Sequence, residues 1–416
     1  MKRRRVAEKK NYCFDTLAQH ACYDPKEHHG YLSEPIYEGV VQTQPNCKTA
    51  ARIFSGAEEG FIYGRLGNET ARIFEKRLAV LEGGEDALSF TTGMAAIRCL
   101  ILKLAGLGDN IVSSRQLYGG TGHFFETEMP KQFGRGINFV DNPWDANSWA
   151  KAINCRTKAF YMEWLANPTI DLYPFLEIAS MAKRHRLPLI VDSTFASPAL
   201  FRPIPWGATF AVHSATKYLS CGGVNLAGAV VGPKKFLAEM RENEYLSYGA
   251  PLSAFHARFC LIGLSTLSLR MKRHSENAER LASWFWGRRF EKKKSSLGIK
   301  NVFYPNLSDS PYAVYARNFM PEGCGGVFSV EFDCSLEKCA KFIDSLKIFS
   351  IAPSLGECKS LVIMPSLTTH SKLSCVASKG TNIPPNLIRF AVGLEDPWDL
   401  IKDLRQAFSS VGAKPV

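Results

Sequence analysis

From Asn68 onward the apolar positions recur at helical spacing, with Phe74, Leu78 and Leu81 on one face, and the pattern stops at Gly83-Gly84. Short β-rich runs then alternate with helical ones. Strands are predicted over Ala87-Phe90, Asn110-Ser113, Ala159-Trp164, Leu187-Val191, Phe210-His213 and Ala227-Val231, with helices over Met94-Leu104 and Phe175-Arg186. This alternation predicts an α/β fold with a mostly parallel sheet. A long helical stretch, Ala257 to Phe285, leads into a smaller mixed α/β domain that closes near Leu404. Residues 1 to about 65 read as irregular and polar, with turn signals at Asp24-Pro25 and Gln44-Pro45.

Size and composition narrow the function classes. At 416 residues the chain has room for two or three domains, and 46% hydrophobic against 22% charged residues describes a soluble globular protein. No apolar run is long enough to span a bilayer. The basic start (Lys2, Arg3, Arg4, Arg5, Lys9, Lys10) is followed by no apolar stretch, which argues against a secretory signal. Twelve scattered cysteines without a Cys-x-x-Cys pair or zinc-like spacing read as reduced thiols of a cytoplasmic protein, with no metal site. The net charge of +12 and the run Arg288-Arg289-Phe290-Glu291-Lys292-Lys293-Lys294 invite a nucleic-acid reading. A solvated helix end accounts for the run, no nucleic-acid-binding signature accompanies it, and a basic enzyme also attracts anionic small molecules.

The candidate chemistry centres on Lys217, in His213-Ser214-Ala215-Thr216-Lys217-Tyr218 after a predicted strand, and on Asp192, at the end of another. A lysine, a carboxylate and hydroxyls at the carboxyl ends of adjacent strands are what a pyridoxal phosphate site requires. The lysine forms the Schiff base, the carboxylate keeps the ring nitrogen protonated, and Ser214 and Thr216 bind phosphate. Gly93 opens a helix whose first turn suits an anion, although many strand-to-helix turns contain glycine. Asp192 alone also reads as a turn cap. Tyr118 precedes a glycine pair and is either a rim tyrosine or a ring stacked on the cofactor. Tyr63 and Arg65 are either surface residues or phosphate ligands. Arg389 lies in an apolar strand pattern, Leu387 to Gly393, and needs a partner. A substrate carboxylate, bound with roughly 1.5–3 kcal/mol, and a structural ion pair with Glu395 or Asp396 are the two choices.

These residues stand in segments with a family resemblance. YGRLGNET (63–70), LAVLEGGEDAL (78–88), TTGMAAI (91–97), LYGGT (117–121), ANPT (166–169), VDSTFASP (191–198), HSATKYL (213–219), TLSLRMKRH (266–274), SLG (354–356) and IRFAVGLEDPWDLIKDL (388–404) follow one another in order. The chain resembles, from about Phe14 to Leu404, the pyridoxal-phosphate enzymes of cysteine and methionine metabolism. These include cystathionine γ-synthase, cystathionine γ-lyase, methionine γ-lyase and O-acetylhomoserine sulfhydrylase. The resemblance implies a fold type I, aspartate aminotransferase-like enzyme with an arm (1–65) completing a neighbouring subunit's site, a cofactor domain (66–255) and a C-terminal domain (256–416). It implies a homotetramer, a dimer of dimers. It implies that Gly93, Met94, Ser214 and Thr216 hold phosphate with Tyr63 and Arg65 of the neighbouring subunit, and that Tyr118 stacks on the ring. Arg389, Ser354 and Asn167, with Tyr63, are implied to bind substrate.

The reaction is less specific than the family. Tyr23-Asp24-Pro25-Lys26-Glu27-His28 and Ser354-Leu355-Gly356 are similar to methionine γ-lyase. Gly120, where those lyases carry cysteine, is similar to synthases and sulfhydrylases, and Glu357-Cys358-Lys359-Ser360-Leu361 and Thr368-Thr369-His370-Ser371 are similar to O-acetylhomoserine sulfhydrylases. Glu69, Trp164-Leu165, Ser193, the segment Ser220 to Asn225 and Pro353 depart from the family pattern and predict an unusual substrate pocket. The expectation is γ-elimination, with γ-replacement on O-acetylhomoserine as the alternative. A non-catalytic binding protein on the same fold is the reading of a different class, and Lys217 and Asp192 count against it.

Overall fold

The computed structural model describes residues 12–289, 297–368 and 383–412. The basic N-terminal residues 2–10, Phe290 to Lys294 of the charge run and Thr369-His370-Ser371 lie outside them. The strands in chain order are β1 (Asp86–Phe90), β2 (Asn110–Ser113), β3 (Gly136–Phe139), β4 (Thr157–Glu163), β5 (Leu189–Asp192), β6 (Phe210–His213) and β7 (Gly228–Gly232). A second set follows: β8 (Gly298–Phe303), β9 (Val327–Asp333), β10 (Ser350–Ile351), β11 (Leu361–Ile363) and β12 (Leu387–Ala391).

The chain divides into two compact units, the first made of the described residues up to Gly106 with Arg202–Leu267, the second of the remainder. In the first, β7 lies between β1 and β6 and runs antiparallel to both. The helix Glu69–Glu82 begins because Asn68 caps it, its side chain accepting from Thr70 N at 2.9 Å, and ends at Gly83 in the left-handed region. It buries Phe74, Leu78 and Leu81, the predicted face. Glu69, at its first position, suits the positive end of the helix.

In the second unit β5, β4, β2 and β3 form a run of parallel strands in that order. Its other sheet has the order β10-β11-β12-β9-β8, in which only β10 and β11 pair in parallel. Phe328 and Phe390 stack at 4.9 Å in its core, with Phe285 and Phe408 around them. No helix among the described residues is long and apolar enough to cross a membrane.

Two expectations are corrected. The stretch from Ala257 to Phe285 is two helices, Ala254–Ser265 and Leu267–Arg288. The break is at Thr266, a β-branched residue at φ −116° and ψ 10° whose N–H turns back to Gly263 O. The N-terminal segment is not wholly irregular, since Phe14–His20 and Cys47–Phe54 are helical. The turn signal at Gln44-Pro45 leads into the second of these, where Asn46 caps Thr49 N at 2.8 Å.

Glu34 ties this segment down. Its carboxylate meets Arg77 at 2.6 Å and also pairs with Arg258. Burial works to raise the Glu34 pKa, but the Arg77 charge, aided by Arg258, holds it below its ordinary 4.5. A depressed folded value means stability that is present above the ordinary value and lost as pH falls through the folded one. Glu34→Ala is expected to lower stability by about 3 kcal/mol, because it strands Arg77. It should also remove part of the acid sensitivity below pH 4.5. Urea midpoints measured from neutral pH downwards test this, and a midpoint equal to wild type would refute it.

Candidate active site

In the first unit the turn after β6 presents Ser214, Thr216 and Lys217, all half-buried. It is held by its own backbone: Lys217 N donates to Ser214 O at 3.1 Å, and Thr216 N donates to Ala227 O at 3.1 Å. Ala227 N returns a bond to Thr216 Oγ1 at 3.0 Å, so the turn is stapled to the residue preceding β7. Gly93 opens the helix Gly93–Leu104, capped by Thr92, whose side chain accepts from Ala95 N at 3.0 Å. A β-carbon on Gly93 would stand 2.8 Å from Ser214 Cβ, so glycine alone lets the helix start approach the turn. The structure thus brings Gly93 and Ser214 together, with Met94 next along the helix. Arg65 is exposed, donates to Leu246 O at 2.6 Å and lies 5.7 Å from the ring of Tyr63, itself 41% exposed.

In the second unit Asp192 is buried at the end of β5, where its carboxylate accepts from Thr194 N at 3.0 Å and from the Tyr161 hydroxyl at 3.3 Å. Asp192 thus caps the turn that follows β5, and its other carboxylate oxygen meets the Tyr161 hydroxyl. Beside it, Glu163 ends β4, paired with Asp192 in register. Sequence reasoning missed this residue. Its Oε1 accepts from Tyr118 N at 2.5 Å and its Oε2 from Asn167 N at 3.5 Å. Burial, reinforced by the Asp192 charge, pushes the Glu163 pKa up to about 8. A lone glutamate at the end of an apolar run was the available signal. Tyr118 leaves half its surface exposed and folds its ring over the following turn, so a β-carbon on Gly120 would stand 2.6 Å from Tyr118 Cε1.

Arg389 is buried in β12, opposite Ser329 of β9. Its guanidinium donates to Asn167 Oδ1 at 3.0 Å and to Ser354 O at 3.1 Å, so three of the four predicted substrate residues meet. Glu395 accepts from Ser360 N and Oγ at 2.6 and 2.9 Å, and Asp396 caps Trp398 N at 2.8 Å. The carboxylates weighed as structural partners of Arg389 thus have other work. His274 secures the turn after β12 by Nδ1 contact with Val392 O at 2.7 Å, and burial lowers its pKa to about 4.

Some departures from the family pattern are structural. Trp164 is buried in an aromatic cluster, stacked on Phe201 at 4.3 Å and edge-on to Phe175 and Phe319. Ser193 is buried, and its carbonyl accepts from Ser197 N at 2.8 Å. Ser220 Oγ donates to Thr216 O at 2.8 Å, which steadies the lysine turn. Pro353 is exposed beside Ser354.

Residues 15–409 match the sequence model of the Cys/Met metabolism PLP-dependent enzymes. The chain belongs to this family. It is 34% identical over 437 residues to a sulfhydrylase of Fusarium oxysporum f. sp. lycopersici, covering 97% of this chain and 99% of that one. It is 35% identical over 398 residues to L-methionine gamma-lyase of Pseudomonas putida, covering 95% and 97%. A solved putative O-acetylhomoserine (thiol)-lyase of Campylobacter jejuni, containing N'-pyridoxyl-lysine-5'-monophosphate, superimposes with a TM-score of 0.90 at 31% identity, covering 96% of this chain and 100% of its own. The protein is a pyridoxal-phosphate-dependent enzyme with the fold type I architecture.

The residues present fit that cofactor. The helix start against Ser214 leaves a cradle that a β-carbon at position 93 would fill, and helix start, hydroxyls and lysine form a donor set for a phosphate-bearing aldehyde. The Glu163 geometry makes a prediction of its own. An acid whose pKa is raised on folding takes up a proton, so its contribution to stability is full below 4.5 and falls as pH rises towards about 8. Glu163→Gln, which still accepts from Tyr118 N, is expected to lack that fall. Urea midpoints of wild type and variant should therefore converge or cross over that window, and a constant gap would show that Glu163 does not titrate there.

Proposed function

We propose that the protein acts at Cγ of a methionine- or homoserine-derived amino acid, by γ-elimination of the methionine γ-lyase kind. The observation that carries this reading is the buried Arg389, held by Asn167 and Ser354, in a member of this family that retains Lys217. A fixed guanidinium with fork geometry suits the α-carboxylate of an amino acid. The second reading, γ-replacement on O-acetylhomoserine of the sulfhydrylase or cystathionine γ-synthase type, is favoured by Gly120, over which Tyr118 folds.

When bound, pyridoxal phosphate supplies an electron sink for negative charge at Cα. Ser214, Thr216, Gly93 and Met94 would hold its phosphate, and Tyr63 and Arg65 would reach it from a neighbouring subunit. Tyr118 would cover the ring face, and Asp192 would keep the ring nitrogen protonated. Lys217 Nζ takes the proton from substrate Cα and moves another from Cβ. The Tyr118 hydroxyl donates a proton to the group leaving Cγ. Arg389, with Ser354, Asn167 and Tyr63, fixes the carboxylate so that these transfers occur at one geometry. Elimination or replacement then depends on whether a nucleophile reaches Cγ.

The assembly belongs to the same proposal: a homotetramer in which residues 1–65 form the arm, 66–255 the cofactor domain and 256–416 the C-terminal domain. A cytoplasmic location fits the described cysteines, none of which are joined by a disulfide.

The purified enzyme is expected to absorb near the visible edge and to lose that band in Lys217→Ala. 2-Oxobutyrate from L-methionine alone is the expected product; product only from O-acetyl-L-homoserine with sulfide would replace the first reading by the second. Arg389→Ala is expected to lower kcat/KM about tenfold to a hundredfold, mostly through KM, from the loss of one charge-assisted contact. An unchanged KM would remove Arg389 from the carboxylate site.

A further inference from the structure

Six residues, Cys334-Ser335-Leu336-Glu337-Lys338-Cys339, carry β9 into the helix Leu336–Asp344. Ser335 is the cap of that helix and accepts from Lys338 N at 3.4 Å. Cys334 therefore precedes the cap, and Cys339 is the fourth helical residue. These are the two positions whose side chains a helix start folds against each other, normally as an apolar clasp. Here the clasp is two thiols, with sulfurs 3.3 Å apart. Cys339 is wholly buried, its Sγ against Asn386 O at 4.0 Å, whereas Cys334 reaches solvent.

We propose that Cys334 and Cys339 are a modification site, a dithiol that a small-molecule disulfide such as oxidised glutathione converts reversibly to an internal disulfide. The sulfurs need to approach by little more than an ångström to reach the ~2.05 Å of the bond, and the helix start already sets their side chains face to face. The order of events follows from access and acidity. A hydrogen bond from Cys339 holds the Cys334 thiol below its ordinary value despite partial burial, with the Lys338 charge assisting. Cys339 is pushed up by the same bond and by burial. Cys334 is thus the attacking thiolate. It forms a bond to one glutathione sulfur, the glutathione disulfide breaks, and one glutathione leaves as thiolate and takes up the proton Cys334 released. Cys339 then attacks the Cys334 sulfur, the mixed disulfide breaks, and the second glutathione leaves with the Cys339 proton. Two electrons pass from the pair to the oxidant, and excess reduced glutathione reverses both steps. The proposal is independent of the reaction assigned to the enzyme.

The test is to equilibrate the full-length holoenzyme with mixtures of reduced and oxidised glutathione, quench in acid denaturant, alkylate and weigh the peptic fragments. The expected result in oxidised glutathione is a 334–339 fragment without alkyl groups and lighter by two hydrogens, both thiols returning with dithiothreitol. Cys339→Ser should stop at a glutathione adduct on Cys334, and Cys334→Ser should carry no adduct on Cys339. Full alkylation of both thiols in excess oxidised glutathione would overturn the proposal. So would wild type that retains glutathione on Cys334, or an adduct on Cys339 in the Cys334→Ser variant.

Discussion

A carboxyl group sealed inside a protein must either keep its proton or be surrounded by donors. Burial pushes Glu163 towards the first state, and two backbone donors also surround it. One oxygen takes the backbone N–H of Tyr118 and the other that of Asn167, so two turns on different segments are fixed by one side chain. Asn167 then turns its own oxygen to Arg389, which reaches on to Ser354. A continuous set of hydrogen bonds therefore links Tyr118 to the guanidinium of the other sheet. Burial raises the Glu163 pKa, and the charge of Asp192, adjacent in the register, adds to the rise.

The first unit solves a different problem, the placement of a lysine on an irregular turn. Local bonds do it: Lys217 N to Ser214 O, Thr216 to Ala227 on both sides, and Ser220 Oγ to Thr216 O. These bonds are made by backbone groups and by the hydroxyls of Thr216 and Ser220. The segment from Ser220 to Asn225, unlike the family's, contributes at least one of these supports through Ser220.

Elements specified by local physics were legible in the sequence. The strands Asn110–Ser113 and Phe210–His213 have the predicted bounds, and the helix from Glu69 has its cap, apolar face and glycine stop where the pattern puts them. Asn167, Ser354 and Arg389, far apart in the chain, were gathered by resemblance and meet in space. What the sequence hid depends on tertiary partners. Thr266 carries no glycine or proline signal, so the helix break was invisible. The helix Phe14–His20 has no side-chain cap, although it buries Leu17 and Ala18. Trp164 read as a change in the pocket, but its ring packs in the core against three aromatic neighbours, including Phe201 face to face. Glu163 lacked a recognisable partner because its donors are backbone groups, which no residue pattern displays.

The contact between Gly93 and Ser214 also limits the paths by which this protein can change. With a β-carbon barred by Ser214 Cβ and Cα, every single substitution at position 93 forces backbone to move at the lysine turn. Position 353, at the exposed edge of the proposed carboxylate site, carries no such restriction. Small steps are therefore open at position 353, whereas the close approach of Gly93 to Ser214 admits change only when both of its sides shift together.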